Sequence, residues 1–326
     1  MKAIVTGGAG LIGCHLVKKL LEEGREVVVV DDLSRGNPQN LRDLGADVPL
    51  ISADLRDPQE AHEALRGADV VFHLAARVGS VEFLHGTKRA ELEALWSNLA
   101  IDINVIRACL EHGVKKLIYA SSVSVYPIDT QGREGAILSE DDFTLYPSLG
   151  RVNPEGGYGW AKLLGEIQLC WMDGIDIGIA RIFNVYGEGE DLGKTAHVVP
   201  ALIRKAILYP KEEFIVWGDG AQTRDFLYVS DCVEALLRLE ERASMPPIIV
   251  NIGSDTPIPI KVLAEKIVEI SGKEIEIKFD PSRPVGPRSR TANIRRAKEI
   301  LGWKPRISLE EGLIRTYKWA ESRLLK

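Results

Sequence analysis

Short apolar runs alternate with amphipathic stretches through the first half of the chain. The runs that predict buried strands are Ala3–Val5, Val27–Val30, Val48–Ile51, Val70–Leu74 and Leu117–Tyr119. Helical periodicity between them covers 11–23, 38–44, 58–67 and 88–112. The runs are rich in valine and isoleucine and lack polar alternation, as strands covered on both faces do. Because strands and helices alternate, the pattern predicts a doubly wound parallel α/β sheet with right-handed crossovers.

The pattern loosens in the second half. A helix is predicted over 156–172 and a strand over Ile175–Ile182. Glycine, proline and charged residues then predict loops at 187–194, 218–224 and 280–290. Further helices are predicted near 196–208, 230–241, 259–271 and 308–323, and strands near 213–217 and 248–252. We therefore expect a larger domain, 1–183 with 225–255, and a smaller α/β lobe, 184–224 with 256–326.

Composition excludes several classes of function. The chain of 326 residues has a net charge of −6 and no long basic run, so we expect no nucleic-acid partner. Four isolated cysteines and six scattered histidines predict free thiols, a reducing compartment and no metal site. No apolar run approaches membrane length, and the first strand starts directly after Met1. We expect no membrane partner and a cytoplasmic location.

A glycine-rich segment, Thr6–Gly13, follows the first strand and opens the first helix. Glycine at such positions permits a tight turn, lets the backbone approach a pyrophosphate and allows the helix to pack on the strand. The unpaired N–H groups at the start of the helix then bind the anion. The residues that we expect to contact a dinucleotide here are Gly7, Gly10, Leu11, Ile12 and Gly13. The segment predicts a Rossmann-type nucleotide-binding domain.

Asp31 and Asp32 end the second strand, eighteen residues after Gly13. An acid at this position accepts hydrogen bonds from the adenosine ribose, and its charge disfavours the 2′-phosphate of NADP. We therefore expect NAD as the cofactor, although Arg35 lies close enough to weaken this preference. Five further residues at strand ends should line the adenine and the nicotinamide ribose, since ligands lie at the carboxyl ends of strands. They are Asp54 with Leu55, and Leu74 with Ala75 and Ala76.

Tyr158 and Lys162 lie four residues apart and so share one face of a predicted helix. A free tyrosine has a pKa of about 10 and is a poor base at neutral pH. A neighbouring ammonium group and an oxidised nicotinamide both favour the phenolate, which makes this pair a candidate general base. Ser122 ends the fifth strand at the same sheet edge, where its hydroxyl could bind the oxygen that loses the proton.

These motifs together resemble the extended short-chain dehydrogenases of the NAD-dependent epimerase/dehydratase family. The order Thr6–Gly13, His73–Ala76, Tyr119–Ser122 and Tyr158 to Lys162 carries the resemblance. It continues through Arg181–Gly187, Trp217–Phe226, Asn251–Gly253 and Leu301–Pro305, and so covers essentially the whole chain. The resemblance implies Ser122, Tyr158 and Lys162 as the catalytic triad.

The resemblance also implies a partner and an oligomeric state. A nucleotide-diphosphate sugar is expected in the smaller lobe, with Asn184 and Arg224 in contact with it. Arg288 is expected to join Arg224 on the diphosphate, a task that suits charged bidentate donors. Related enzymes form homodimers through the helices predicted at 88–112 and 156–172. The apolar residues of the first helix that could serve are Leu92, Leu95, Leu99, Ile103 and Ile106, although this stripe could instead face the chain's own sheet.

The position of Ser124 bears on the reaction. The 4,6-dehydratases carry an Asp-Glu pair at the positions of Val123 and Ser124, and the decarboxylases carry glutamate at the position of Ser124. Strings around Ala75–Ser80, Ser121–Pro127 and Trp217 look most like GDP-mannose 3,5-epimerases. Those enzymes have a cysteine in place of Ser124 and a lysine one position from Lys194. A serine is a much weaker proton donor than a thiol, and UDP-sugar 4-epimerases carry a small hydroxyl residue there.

The sequence therefore predicts a nucleotide-sugar epimerase that works through a transient C4 ketone, with inversion at C4 slightly favoured. Ser124 is a candidate catalytic residue, and Lys194 a candidate substrate contact. Inversion at C3 and C5 is the alternative, and a net NAD-dependent oxidoreductase or dehydratase is a rival, since the same triad would serve it. A non-catalytic dinucleotide sensor is disfavoured because Tyr158 and Lys162 are both present.

Overall fold

The computed structural model describes residues 1–142, 152–193 and 195–325. The strands are β1 (Lys2–Thr6), β2 (Glu26–Asp31), β3 (Leu50–Ser52), β4 (Val70–His73), β5 (Lys116–Ser122), β6 (Ile137–Leu138), β7 (Asp176–Ile182), β8 (Val185–Tyr186), β9 (Ile215–Trp217), β10 (Thr223–Asp225), β11 (Leu227–Tyr228), β12 (Ile248–Ile252), β13 (Pro257–Pro259), β14 (Lys278–Asp280) and β15 (Ser289–Ala292). The helices are α1 (Leu11–Glu22), α2 (Pro38–Asp43), α3 (Pro58–Ala64), α4 (Val81–His85), α5 (Lys88–Glu111), α6 (Ile128–Gln131), α7 (Gly156–Cys170), α8 (Val198–Leu208), α9 (Val229–Arg242), α10 (Ile260–Ser271), α11 (Arg295–Leu301) and α12 (Leu309–Leu324).

Seven parallel strands form the main sheet, in the order β12-β7-β5-β4-β1-β2-β3. The strand order reverses at β1, which pairs with β2 on one side and with β4 on the other. Apolar residues of α1, α9 and α11 pack on one face of the sheet, and those of α3, α5 and α7 contribute to the core on the other. The predicted doubly wound α/β fold is confirmed. Such folds bind ligands in the crevice where the strand order reverses.

Local sequence explains where the principal helices begin. Asp57 caps α3 by accepting hydrogen bonds from two backbone N–H groups, and Pro58 follows at the first helical position. Thr87 caps α5 by accepting from the N–H of Ala90. The start of α1 differs, because its cap position is Gly10 and no side chain caps it. The N–H groups of that first turn are therefore available to a ligand.

A smaller lobe lies beside the carboxyl ends of the main sheet. It contains a four-stranded sheet in the order β13-β10-β15-β6 and a separate apolar core that includes residues of α8, α10 and α12. Two buried side chains join the lobes. Asn251 of β12 donates to the carbonyl of Leu138 in β6, and Asp225 of β10 accepts from the backbone of Ser254 and of Ala292.

The structure departs from the predicted elements mainly in the smaller lobe. The loops predicted at 218–224 and 280–290 run into the short strands β10 and β15. Strands of two to four residues carry too few positions to show a hydrophobic period, so they form through pairing with distant partners. The strand β6 lies inside the predicted range 1–183 but pairs with β15 of the smaller sheet. The exact domain boundaries remain a prediction.

Candidate active site

A cleft of about 1470 Å³ lies between the carboxyl ends of the main sheet and the smaller lobe. Most of the residues predicted for the site line it. They are Gly7, Gly10, Leu11, Ile12, Gly13, Asp31, Asp32, Asp54, Leu55, Leu74, Ala75, Ala76, Ser122, Ser124, Tyr158, Asn184 and Arg224. The fold thus brings together groups from the first 32 residues and from position 224 at one crevice.

The glycine-rich turn is shaped for close backbone approach. Gly7 has a φ of +68°, and a Cβ there would lie 2.8 Å from the backbone nitrogen of Ala75. A Cβ on Gly13 would lie 2.3 Å from the carbonyl oxygen of Gly7. Side chains at these positions would fill the space over the start of α1. The cradle therefore fits the pyrophosphate of a dinucleotide.

Asp31 is buried at the end of β2, beside this cradle. Its carboxylate accepts hydrogen bonds from the N–H of Ala9 over 3.0 Å and from that of Leu33 over 2.9 Å. Burial raises the pKa of the Asp31 carboxyl above its usual value, and these two hydrogen bonds oppose the rise. Asp31 thus holds the glycine-rich turn as well as lining the ribose side of the cleft. Asp32 is exposed and accepts from Ser34.

Two charged neighbours of the ribose side are engaged with protein groups. Arg35, which could have accommodated a 2′-phosphate, lies 3.2 Å from the carboxylate of Asp191 and also donates to Thr195. Asp54 is paired with Arg56, with the nearest nitrogen and oxygen 2.6 Å apart. The arrangement leaves Asp31 as the buried acid at this end of the cleft, consistent with a ribose that carries no phosphate.

Tyr158 lies in the first turn of α7 and lines the cleft together with Ser122, which ends β5. Burial raises the pKa of the phenol. The side chain of Ser122 lowers it, and the negative charges of Asp102 and Glu155 raise it again. The protein groups together hold the pKa above its usual range, so a positive charge is needed beside Tyr158 for it to act as a base at neutral pH.

Lys162 is buried one turn further along α7, in contact with a network that sequence reasoning missed. Its ammonium lies 3.4 Å from Asp102 of α5 and 4.6 Å from the ring centre of Tyr119. The other oxygen of Asp102 accepts from the hydroxyl of Tyr119 over 2.6 Å. His73 lies 3.1 Å from Asp102, and its other ring nitrogen contacts Thr6 over 2.7 Å.

Burial and the neighbouring groups together decide which side chains of this network are charged. Burial lowers the pKa of His73, which outweighs the attraction of Asp102, and so favours a neutral imidazole. Burial by itself raises the pKa of Asp102, but Lys162 and the hydrogen bonds from His73 and Tyr119 bring it below its usual value. The network therefore holds the ionised carboxylate of Asp102 against Lys162, where neither is exposed to solvent.

A second polar cluster lies on the cleft wall next to Tyr158. Ser124 donates a hydrogen bond of 3.0 Å to Glu155, which occupies the cap position of α7. Arg290 of β15 also donates to Glu155 and, over 2.6 Å, to Gln131. Glu155 and Arg290 both line the cleft.

A buried arginine, Arg224, lies in the wall of the cleft. Its recorded hydrogen bonds go to the backbone carbonyls of Thr223 and Val285 rather than to a carboxylate. Burial, and then the charge of Arg290, lower the pKa of Arg224. An anionic group bound here would relieve both effects, as a diphosphate would. Asn184 lies on the same wall and donates to the carbonyl of Asp225 over 2.9 Å.

Arg288 and Lys194 were also predicted to contact the substrate. Arg288 is half-exposed, lies 3.6 Å from Asp219 and is not among the described residues that line the cleft, whereas Arg290 is. Lys194 lies outside the described residues.

No helix in the described part of the chain is long and apolar enough to cross a membrane. No group of three or more metal-binding side chains occurs among residues 1–142, 152–193 and 195–325. The four cysteines are free thiols.

A doubly wound sheet, a glycine cradle and a tyrosine–lysine pair at its edge define a dinucleotide-dependent enzyme. The sequence pattern of the NAD dependent epimerase/dehydratase family matches residues 3–253. The chain belongs to this family, and NAD is therefore its cofactor.

Relatives across the family cover the full chain. A UDP-N-acetyl-alpha-D-glucosaminuronate decarboxylase from Bacillus cytotoxicus is 34% identical over 98% of this chain and 97% of its own. The GDP-mannose 3,5-epimerase of Arabidopsis thaliana is 33% identical over 100% of this chain and 84% of its own.

Among solved structures, the UDP-glucose 4-epimerase of Thermotoga maritima with UDP-glucose has a TM-score of 0.85 and 30% identity, and the match covers 99% of this chain and 100% of that one. The predicted family, fold class and cofactor are confirmed. The protein is an enzyme of a family whose members here are epimerases and decarboxylases, and the relatives leave its particular reaction open.

Proposed function

We propose that the protein is an NAD-dependent nucleotide-sugar epimerase that works through a transient C4 ketone, with C4 as the favoured centre of inversion. The observation that carries this proposal is the position of Tyr158. It lies beside Ser122 in the lining of a cleft that runs from the glycine cradle to Arg224. A sugar whose diphosphate contacts Arg224 would thus reach Tyr158 at the edge of the nucleotide site.

Side chains of the protein transfer the proton of the C4 hydroxyl. Ser122 orients the C4 hydroxyl, and the Tyr158 phenolate accepts its proton as the ketone forms. The same phenol returns the proton when the ketone is reduced. Lys162 supports the phenolate, and Asp102 holds Lys162. When bound, NAD supplies an acceptor and donor for the C4 hydride and a positive charge that favours the phenolate.

Inversion at C4 needs no acid–base group beyond Tyr158, because only the face of the ketone changes between oxidation and reduction. Because it requires fewer catalytic groups, inversion at C4 is the favoured reaction. Inversion at C3 or C5 is the second candidate. It needs a further group that moves a proton on carbon, and the contact between Ser124 and Glu155 favours it.

The test is incubation of the protein with UDP-, GDP-, dTDP- and CDP-linked hexoses and hexuronates, followed by separation of the products. The proposal expects one nucleotide sugar to be converted to an epimer with no net change in NAD. Stoichiometric NADH with a released keto-sugar would instead identify a net oxidoreductase. A pentose from a hexuronate, or loss of water, would identify a decarboxylase or a dehydratase. Binding of NAD with no turnover of any sugar would contradict all of these enzymes and favour a sensor.

A further inference from the structure

Glu155 has a setting that its place in the sequence does not suggest. It stands three residues before Tyr158, at the start of the same helix, and it lines the same cleft. Its backbone N–H donates to the carbonyl of Ser124 over 2.8 Å, and its carbonyl accepts from Gly159 over 2.9 Å. The backbone on both sides of this carboxylate is thus fixed next to the general base.

The two recorded side-chain contacts of Glu155 both use one oxygen, Oε2, which accepts from Ser124 and from Arg290. Among the described residues, Oε1 has no recorded hydrogen-bond partner. Burial by itself raises the pKa of Glu155, but the charges of Arg290 and His85 and the hydrogen bonds from Arg290 and Ser124 bring it below its usual value. Glu155 is therefore an ionised carboxylate with one oxygen left for a ligand.

The contact with Ser124 matters because the sequence offered no strong acid or base at position 124. In the structure, the carboxylate of Glu155 at the start of α7 lies in contact with Ser124. A carboxylate next to a sugar ketone can act as a base towards carbon, since the ketone acidifies the hydrogens on the carbons that flank it.

We propose that Glu155 is a second acid–base residue, which removes and returns a proton on a carbon adjacent to the C4 ketone. This inference rests on the C4 ketone of the proposed function, which must form first, and it develops the second candidate given there, inversion at C3 or C5. Glu155 takes the proton, the C–H electron pair becomes the C=C bond of an enolate, and the carbonyl π pair moves to the C4 oxygen. Tyr158, protonated after the oxidation, and Ser122 donate hydrogen bonds to that oxygen. Reversal of the step returns a proton from Glu155 to carbon.

The arrangement also assigns a role to Arg290. It neutralises Glu155 in the buried wall and keeps it ionised, and it is close enough to Arg224 to lower that residue's pKa. Arg290 is thus a positioning residue for Glu155. A solely structural ion pair would also connect β15 to α7, so the test must separate proton transfer from stability.

The experiment uses the sugar nucleotide that the panel above shows to be turned over, and C4 oxidation is followed in single turnovers by the absorbance of enzyme-bound NADH. Turnover is run in deuterium oxide, and deuterium at C3 and C5 is measured by NMR. We expect the wild type to incorporate deuterium at one of these carbons. In Glu155→Gln, exchange should fall by about 10²–10⁴-fold, exceeding any fall in the rate of C4 oxidation by at least about tenfold.

Two further variants keep the test decisive. Glu166→Gln removes the carboxylate of another buried ion pair on α7, with Arg181, and should leave the ratio of exchange to oxidation as in the wild type. If Glu155→Gln does not fold, Glu155→Asp is used in its place. It keeps the negative charge on a shorter side chain that reaches less far into the cleft, so the ratio of exchange to oxidation should still fall.

C4 oxidation without exchange in the wild type would overturn the role of Glu155, as would exchange that survives in Glu155→Gln or an unchanged ratio in Glu155→Asp. If no sugar nucleotide is converted to an epimer and none reduces the bound NAD, the proposed function itself fails, and the role of Glu155 fails with it.

Discussion

Asp102 and Lys162 form an ion pair that solvent does not reach. Their charged atoms lie 3.4 Å apart, and the two side chains are 0% and 1% exposed. Removing one partner of such a pair costs about 3–5 kcal/mol, because the other charge is left buried without compensation. The proposed general base therefore depends on a carboxylate from α5, in addition to the residues of its own helix.

Asp102→Asn should lower the free energy of unfolding by about 3–5 kcal/mol at pH 7. Because the folded protein lowers the pKa of Asp102, its stabilisation is present above the unfolded pKa of about 3.9 and is lost as the pH falls through the folded value. The deficit of the variant should thus shrink below about pH 4. Urea unfolding between pH 3 and 8 measures both effects. Glu111→Gln, at an exposed pair, is the control. A deficit that is constant with pH would contradict this assignment.

Tyr158→Phe should reduce turnover by about 10²–10⁴-fold, the range for loss of a general base, while NAD still binds. The substitution removes one oxygen at the cleft and leaves the ring in place. Steady-state kinetics on the sugar found in the panel, together with calorimetric titration of NAD, make the measurement. Tyr209→Phe, outside the cleft lining, should behave as wild type. More than half of the activity remaining in Tyr158→Phe would show that another group is the base.

Asp31→Asn should weaken NAD binding by about tenfold to a hundredfold, since a hydrogen bond to a charged acceptor contributes about 1.5–3 kcal/mol. The amide keeps one oxygen for the N–H groups of Ala9 or Leu33, so the glycine turn is disturbed less than by alanine. Binding of NADP should improve relative to NAD, because repulsion of the 2′-phosphate is removed. Asp32→Asn, at an exposed site, should have a smaller effect. Unchanged affinity of Asp31→Asn for NAD would remove Asp31 from the ribose site.

The exposed faces of α5 and α7 predict a homodimer. Leu92, Trp96, Ile103 and Leu110 recur on one side of α5 and are exposed, and Trp160 and Trp171 are exposed on or at the end of α7. Exposed apolar patches of this kind mark protein interfaces. Light scattering at micromolar concentration should give twice the mass of the chain, and Trp96→Glu should give the monomer. Ile300→Glu, on α11, is the matched control. A monomeric wild type would refute the prediction.

The sequence offered five apolar residues of α5 for this interface, and they do not all point away from the chain's own core. Ile106 is buried in the chain's own core, whereas Leu92 and Ile103 face outward. Spacing along α5 could not separate these cases, because the helix is apolar on more than one side. Trp96 and Leu110 belong to the outward face, but they became apparent only when the packing of α5 against the sheet was known.

The cofactor half of the site was predictable because it is local. A strand, a glycine turn and a helix follow one another, and the acid that completes them ends the next strand. The positions of these groups follow from their neighbours in the sequence and from the rule that ligands bind at the carboxyl ends of parallel strands. Tyr158 and Lys162 were accessible for the same reason, since four residues on a helix define one face.

Asp102, Glu155 and Arg290 were not predictable in this way. Each acts through partners that lie 17 to 135 positions away in the sequence. A lone acid in a long helix or before a pair of glycines is most often a surface group. The sequence did contain two weak signals. Asp102 occupies a helix position that faces the core, and Glu155 lies three residues before Tyr158.

The hydrogen bonds of Asn251 and Asp225 have a mechanical consequence. They cross from the main sheet to the smaller lobe, so buried polar groups fasten the two lobes to each other. Rotation of the lobes as rigid bodies would break contacts made by buried polar groups, which is costly. Ligand entry and exit should therefore depend on rearrangement of the loops at the rim, and heat should melt both lobes in a single cooperative transition.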